Sequence, residues 1–228
     1  MCWCNNSNIV YCTNRTWRIC IYLYISRTLH DDERKNDCQL IDMLNPSYST
    51  EKFLEAADRL LDCALSQHSH PFKTFSVAST VDNTIDQRTV VLRQWVLERR
   101  TIMFHTDIRS KKIQQFKNNS SCSCLFYSHE DKLQLRFSAV THIHYQDRLS
   151  DCLFEEMTEN QKKMYSSSNV PGDTFLSKGS HVDPYSNFSV CVCNFDYLDL
   201  LFLNHQDHKR VAYKWDKQGR LTSSFIVA

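Results

Sequence analysis

The chain has 228 residues, 42% hydrophobic and 23% charged, with a formal net charge of +1; this is enough for a domain with a real core and offers no basic excess of the kind nucleic acid demands. It holds three glycines, Gly172, Gly179 and Gly219, where average usage of roughly 7% would give about 16. G-x-G-x-x-G and Walker loops are therefore absent, and a phosphate would have to be held by side chains and a helix N-terminus.

Residues 1–48 mix Cys, Asn, Arg and aromatics without periodicity and read as a disordered or leader segment, with the functional domain at 49–228. The longest apolar run there, Ile19–Ile25, is seven residues, far short of the roughly 20 of a membrane helix. No small-residue cleavage site follows it, so the chain reads as cytoplasmic, with an organellar leader as the alternative. Eleven cysteines cannot all pair within one chain, and their C-x-C spacings (Cys2/Cys4, Cys122/Cys124, Cys191/Cys193) are not those of structural zinc. On strands each such pair shares a face as small hydrophobes. His142/His144 and His205/His208 have no partner at metal spacing, so no metal is expected.

Helical spacing of Phe53, Ala57, Leu60, Leu61, Ala64 and Leu65 predicts a helix from Ser49 or Thr50 to Ser66. After Pro71 the period becomes two. Strands are expected at Phe72–Thr80, Gln87–Val96 and Thr101–Thr106, with turns at Val81–Asp86 and Leu97–Arg100. Ser110–Asn118 reads as a helix, Cys122–Tyr127 and Leu133–His144 as strands, and Leu149–Met157 as a helix. Tyr165–Asn187 is a long loop rich in Ser, Gly and Pro. Strands return at Phe188–Asn194, Leu198–Leu203, Lys209–Trp215 and Leu221–Val227. The pattern is mainly β, a barrel with peripheral helices.

Three segments carry chemistry. In Gln87-Arg88-Thr89-Val90-Val91-Leu92-Arg93, two arginines bracket a β-branched run and alternation puts them on opposite faces. In Phe104-His105-Thr106-Asp107-Ile108-Arg109-Ser110-Lys111-Lys112, a strand runs into a helix whose first turn offers free N–H groups, a hydroxyl and two cations, a setting that suits a phosphate. In Leu133-Gln134-Leu135-Arg136, a polar side chain interrupts an apolar strand.

In this order and spacing, the three segments resemble the pyridoxamine 5'-phosphate oxidase family, in its FMN-binding split-barrel branch without assigned substrate. The resemblance covers residues 70–144 and continues more loosely through 187–228. It implies an FMN-binding split barrel in which Arg88 and Lys112 hold the FMN phosphate beside Ser110 and Lys111. The backbone of Val90, Val91 and Leu92 and the side chain of Arg93 would then lie along the isoalloxazine ring. His105 and Thr106 match the family's Tyr-Thr pair, and Gln134 matches the glutamine that reaches the flavin from the neighbouring subunit of a homodimer. The implied function is a flavin oxidoreductase that needs no catalytic side chain; the alternative is an FMN-binding sensor, carrier or interaction module. The family's oxidases grip the substrate phosphate with a Tyr, an Arg and a Ser where this chain has Leu153-Phe154-Glu155-Glu156-Met157, which argues against pyridoxamine 5'-phosphate oxidation. The C-terminal R-x-H-D-R pattern is here Lys209-Arg210-Val211-Ala212-Tyr213.

Overall fold

The structure, a computed structural model, describes residues 48–82, 84–203 and 207–228. Nearly all of the expected leader, 1–48, lies outside these residues, as do Cys2, Cys4 and His205. The first helix, α1 (Thr50–Ser66), buries Phe53, Leu54, Ala56, Ala57, Leu60, Leu61 and Ala64, the three-to-four spacing of a single apolar face. A 3-10 turn at Pro71–Lys73 leads into β1 (Thr74–Val81). There follow β2 (Thr84–Val91), β3 (Gln94–Val96), β4 (Thr101–Asp107), α2 (Lys111–Asn118), β5 (Ser121–Ser128) and β6 (Leu133–His144). Two short helices, α3 (Arg148–Glu155) and α4 (Glu159–Lys163), precede a 3-10 turn at Pro184–Asn187 and strands β7 (Phe188–Phe202), β8 (Lys209–Trp215) and β9 (Leu221–Ile226).

The strands form one antiparallel sheet in the order β2-β1-β5-β6-β7-β4-β3, with β8 added to β7 and β9 to β8. The expected single strand Gln87–Val96 is two. Leu92 donates its amide to the Lys73 carbonyl beside β1 (2.8 Å), and Arg93 donates to Met103 on β4 (2.9 Å). Consecutive amides thus bond to opposite ends of the sheet path, so the chain crosses from one edge to the other and closes the barrel. No glycine, proline or run of turn residues marks this crossing, which is why the sequence reads as unbroken, although the core residues Leu92 and Trp95 on either side are three apart rather than two.

Conversely, the two strands expected at Phe188–Asn194 and Leu198–Leu203 are one. Opposite β6, Ser138 pairs with Tyr197 and Ala139 with Phe195, leaving Asp196 as a β-bulge. Before the bulge the other edge of β7 pairs β4, and after it β8. The bulge is where the barrel splits. The expected turn at Val81–Asp86 is also shorter, because Val81 already pairs with Thr84. Helix α3 stops at Glu155, before Met157, and α4 carried no periodic signal that would have predicted it.

The barrel interior is packed with aromatics. Phe75 stacks on Phe126 (4.5 Å between centroids), Trp95 on Phe195 (5.4 Å), and Phe137 wedges against Phe195 (4.8 Å). Glycine scarcity shows at the turns: Asp82, Arg100, Lys132 and Gln146 occupy the left-handed region (φ 43° to 54°), a conformation that costs L-residues roughly 1–2 kcal/mol each.

Candidate functional site

Alternation on β2 turns Arg88 inward, opposite Val77 on β1. Its guanidinium donates to Ser79 Oγ (2.7 Å), Asp86 Oδ2 (2.5 Å) and Gln115 Oε1 (2.6 Å), while Gln115 Nε2 donates to the same Asp86 oxygen (2.7 Å). Ser79 Oγ also donates to Gln115 (2.5 Å). This network fixes Arg88 between β1, β2 and α2. Opposite it, Lys112 Nζ donates to Thr106 Oγ1 (3.1 Å), which lies 3.3 Å from Ser110 Oγ. Burial, and then the nearby Arg88 charge, hold the Lys112 ammonium below its usual pKa. Two cations and two hydroxyls thus converge at the N-terminus of α2, whose N-cap Ser110 makes no side-chain cap. The carboxylate among them, Asp86, is 47% exposed.

A second group lies on the opposite face of β4. His105 packs edge-on against Phe188 (5.0 Å), and Phe188 also touches Phe154 (5.4 Å) and Tyr165 (5.2 Å). Both ring nitrogens of His105, Arg93 Nε and Gln94 Oε1 are buried without a hydrogen-bond partner. Burial, and then the Arg93 charge, push the His105 pKa down to about 3, so its imidazole is neutral. Burial pushes Tyr165 up to about 12 against the pull of Arg93. Orphaned polar atoms are rare in native interiors and mark where a ligand completes the set.

The loop after Tyr165 is held over this region. Asp107 fixes Arg109 (2.6 Å between Oδ2 and a terminal nitrogen), and Arg109 donates to the carbonyls of Ser167 (3.0 Å), Ser168 (3.1 Å) and Asn169 (3.2 Å). Asn187 Nδ2 donates to the Tyr165 carbonyl (2.7 Å).

Arg88, Thr106, Ser110 and Lys112 therefore meet, and Arg93 and His105 meet in the second group. Lys111 is exposed and points toward Gly172 of the long loop. Val90 packs on the core, Leu92 is buried and Val91 is exposed on the edge strand β2. Gln134 does not join either group within one chain; it sits on the outer face of β6 beside Tyr127 and Leu201. Gln115, Ser79, Asp86, Gln94 and Tyr165 escaped the sequence reading, because a mid-helix glutamine and isolated polar strand residues carry no spacing signal.

The arrangement fits FMN. A dianionic phosphate finds charge-assisted donors and a helix N-terminus without a glycine loop, and a ring bearing both donors and acceptors complements the orphaned atoms of Arg93, Gln94 and His105. Residues 55–145 match the family model described as the pyridoxamine 5'-phosphate oxidase FMN-binding domain. No curated protein matches the chain. Among solved structures, a pyridoxamine 5'-phosphate oxidase-related FMN-binding protein from Nostoc punctiforme superposes with a TM-score of 0.66 at 18% identity, covering 80% of this chain and 100% of its own. PhzG from Burkholderia lata, solved with tetrahydrophenazine-1-carboxylic acid, superposes with a TM-score of 0.60 at 13% identity, covering 83% and 96%. The fold is the FMN-binding split barrel. Residues 55–145 thus resemble an FMN-binding domain of the pyridoxamine 5'-phosphate oxidase family, and FMN is the cofactor that this match gives.

Proposed function

We propose that the protein is an FMN-dependent oxidoreductase acting on a small molecule, in which Arg88, Lys112, Ser110 and Thr106 hold the phosphate. The observation that carries this reading is the convergence of Arg88 and Lys112, close enough that, after burial, the Arg88 charge disfavours the Lys112 ammonium, beside the hydroxyls of Thr106 and Ser110. Bound FMN supplies a ring that accepts or gives up a hydride. The chain's own part is binding and orientation. Gln115, Ser79 and Asp86 hold the Arg88 guanidinium; neutral His105, Arg93 and Gln94 offer unspent donors and acceptors; and the loop tied by Arg109 shields them from water.

A homodimer accompanies this reading. Gln134 lies on the outer sheet face, where Val91, Tyr127 and Val140 are exposed apolar side chains, and a second copy laid there would bring its Gln134 to the flavin. Pyridoxamine 5'-phosphate oxidation is not part of the proposal, because Phe154 packs against Tyr185 and Phe188 and α3 presents no cation in its last turn. That same loss supports the second reading, a flavoprotein without turnover.

The absorbance of the purified protein tests the cofactor, and the Arg88→Ala/Lys112→Ala pair tests the phosphate site: undiminished FMN retention in the double variant refutes the assignment. Anaerobic titration with nicotinamide donors and amines separates the two readings. Bleaching of the bound flavin supports the oxidoreductase, and a flavin that no donor reduces supports the carrier or sensor. Light scattering reports the dimer.

A further inference from the structure

Alternation on β5 turns Cys122 and Cys124 inward. Cys193, two strands away on β7, joins them because the β6 residues between are small: Ala139 pairs with Cys122, and Thr141 pairs with Cys193. The three sulfurs all lie within 4.8 Å of one another, in the barrel core. Thr141 Oγ1 donates to Cys122 Sγ (3.1 Å) and lies 3.5 Å from Cys193 Sγ. None of the three is in a disulfide. Among the described residues no histidine or carboxylate joins the group.

We propose that Cys122, Cys124 and Cys193 form a three-sulfur binding site for a trivalent thiophilic metalloid of the arsenic(III) class. Soft sulfur ligands select soft centres. Sulfurs bound about 2.3 Å from a common centre stand at most about 4 Å apart, so these three need close in by only about an ångström. Charge decides among soft centres. Three thiolates around a monovalent ion leave two negative charges in an apolar core, and around zinc they leave one negative charge and a vacant fourth position; a buried uncompensated charge is costly. A trivalent centre leaves none. Arsenous acid also enters as a neutral molecule. In the exchange As(OH)₃ + 3 R–SH → As(SR)₃ + 3 H₂O, three As–O bonds give way to three As–S bonds. Each thiol proton leaves with a hydroxyl as water, and nothing is oxidised or reduced.

Thr141 already holds two of the sulfurs: its Oγ1 donates to Cys122 Sγ and lies beside Cys193 Sγ. Because the site is enclosed, uptake waits on local opening and is slow in both directions.

The test is incubation of the purified full chain with sodium arsenite, followed by dialysis. The expected result is a native mass gain of one arsenic less three hydrogens. Arsenic X-ray absorption should show three sulfurs and no oxygen, and peptide mapping should show Cys122, Cys124 and Cys193 protected from alkylation. Cys122→Ala, Cys124→Ala and Cys193→Ala should each weaken retention at least about tenfold, that is by about 1.4 kcal/mol, while Cys152→Ala and Cys191→Ala leave it unchanged. Should a core variant fail to fold, the wild-type absorption spectrum and peptide map decide alone. Oxygen in the arsenic shell, an adduct mapped to other cysteines, no adduct, or zinc retained as well as arsenite would overturn the proposal.

Discussion

Replacing Lys112 with Met separates binding from stability with opposite signs. The substitution keeps an apolar stem of similar length and removes the ammonium. In the free protein that ammonium is half-buried beside Arg88, and its pKa is lowered by burial and then by that charge. A lysine whose folded pKa lies below its unfolded value costs folding free energy at every pH below the folded pKa, and the cost fades as pH rises through it. The cost is present for as long as the folded ammonium stays charged. Lys112→Met removes it and sacrifices one hydrogen bond to Thr106, which keeps Ser110 Oγ within 3.3 Å. The free variant should therefore melt at or above wild type, at about 2–4 °C per kcal/mol relieved for a domain of this size, and its advantage should shrink at alkaline pH. With FMN the sign reverses. A charge-assisted hydrogen bond contributes about 1.5–3 kcal/mol, so affinity should fall roughly 10- to 150-fold. At an FMN concentration of about 100 Kd, ligand stabilises wild type by about 2.7 kcal/mol, and a hundredfold weaker variant by only about 0.4 kcal/mol. Thermal scans with and without FMN, together with a flavin-fluorescence titration, read both effects. A free variant less stable than wild type, with FMN affinity unchanged, refutes the reasoning.

His105 stays neutral in the fold, with its pKa at about 3, while the unfolded chain takes up a proton near 6.5. Its contribution is therefore complete above pH 6.5 and is lost as pH falls toward 3, by up to about 1.4 kcal/mol per pH unit; urea melts at pH 5 and 7 should show a smaller acid loss in His105→Phe. Asp199 is buried and accepts from both Arg136 and Arg210 (2.7 Å to the latter). Burial raises its pKa, but the two arginines outweigh this and hold it below the usual carboxylate value, so its stabilisation is present above about pH 4 and disappears on acidification. Asp199→Ala should lower stability by about 1–3 kcal/mol at neutral pH and by less near pH 3. Deleting Asp196 removes the bulge but leaves Ala139–Phe195 and Ser138–Tyr197 as adjacent pairs, so Leu198 and Leu200 stay inward. What is lost is the local bend at which β7 changes partner from β4 to β8, and the variant should unfold at lower urea than wild type; a deletion variant of wild-type stability would show that the bulge is dispensable.

Where one face of a strand is buried, its alternation was legible in the sequence: β6 runs from Leu133 to His144, as the sequence predicts, and α1 ends at Ser66. What failed to show were events decided by partners rather than by the strand itself. The break at Leu92 and Arg93 depends on which strand accepts each amide, and nothing in two ordinary side chains records that. Asp196 looked like a gap between strands because a bulge and a loop both place a polar residue in an apolar run. The cations Arg88 and Lys112, which we propose for the phosphate, stood out by type and position, whereas Gln115, which holds Arg88, resembles any solvent-facing helix glutamine. His144 showed no acidic partner by spacing, yet Asp147 meets it at 2.8 Å across the start of α3.

The shortage of glycine ties these observations together. Without a glycine-rich turn the backbone cannot wrap a phosphate, so the proposed anion site is made of long side chains, and long side chains need holding. That is the work of Ser79, Asp86 and Gln115 around Arg88, and of Thr106 and Ser110 around Lys112. Strand β7 carries this requirement inward. Its inward residues run Ser189, Cys191, Cys193 and Phe195, and Ser189 Oγ donates to the Thr106 carbonyl at 2.9 Å. Cys191 lies next along the strand, where the Lys112 charge reaches it, and Cys193 completes the three-sulfur group. The proposed anion site and the thiol cluster are thus successive levels of one barrel face, one partly exposed at the rim and one buried. A change in the volume of the lower level is transmitted to Thr106 through a single strand, because close-packed interiors pass strain on rather than absorb it.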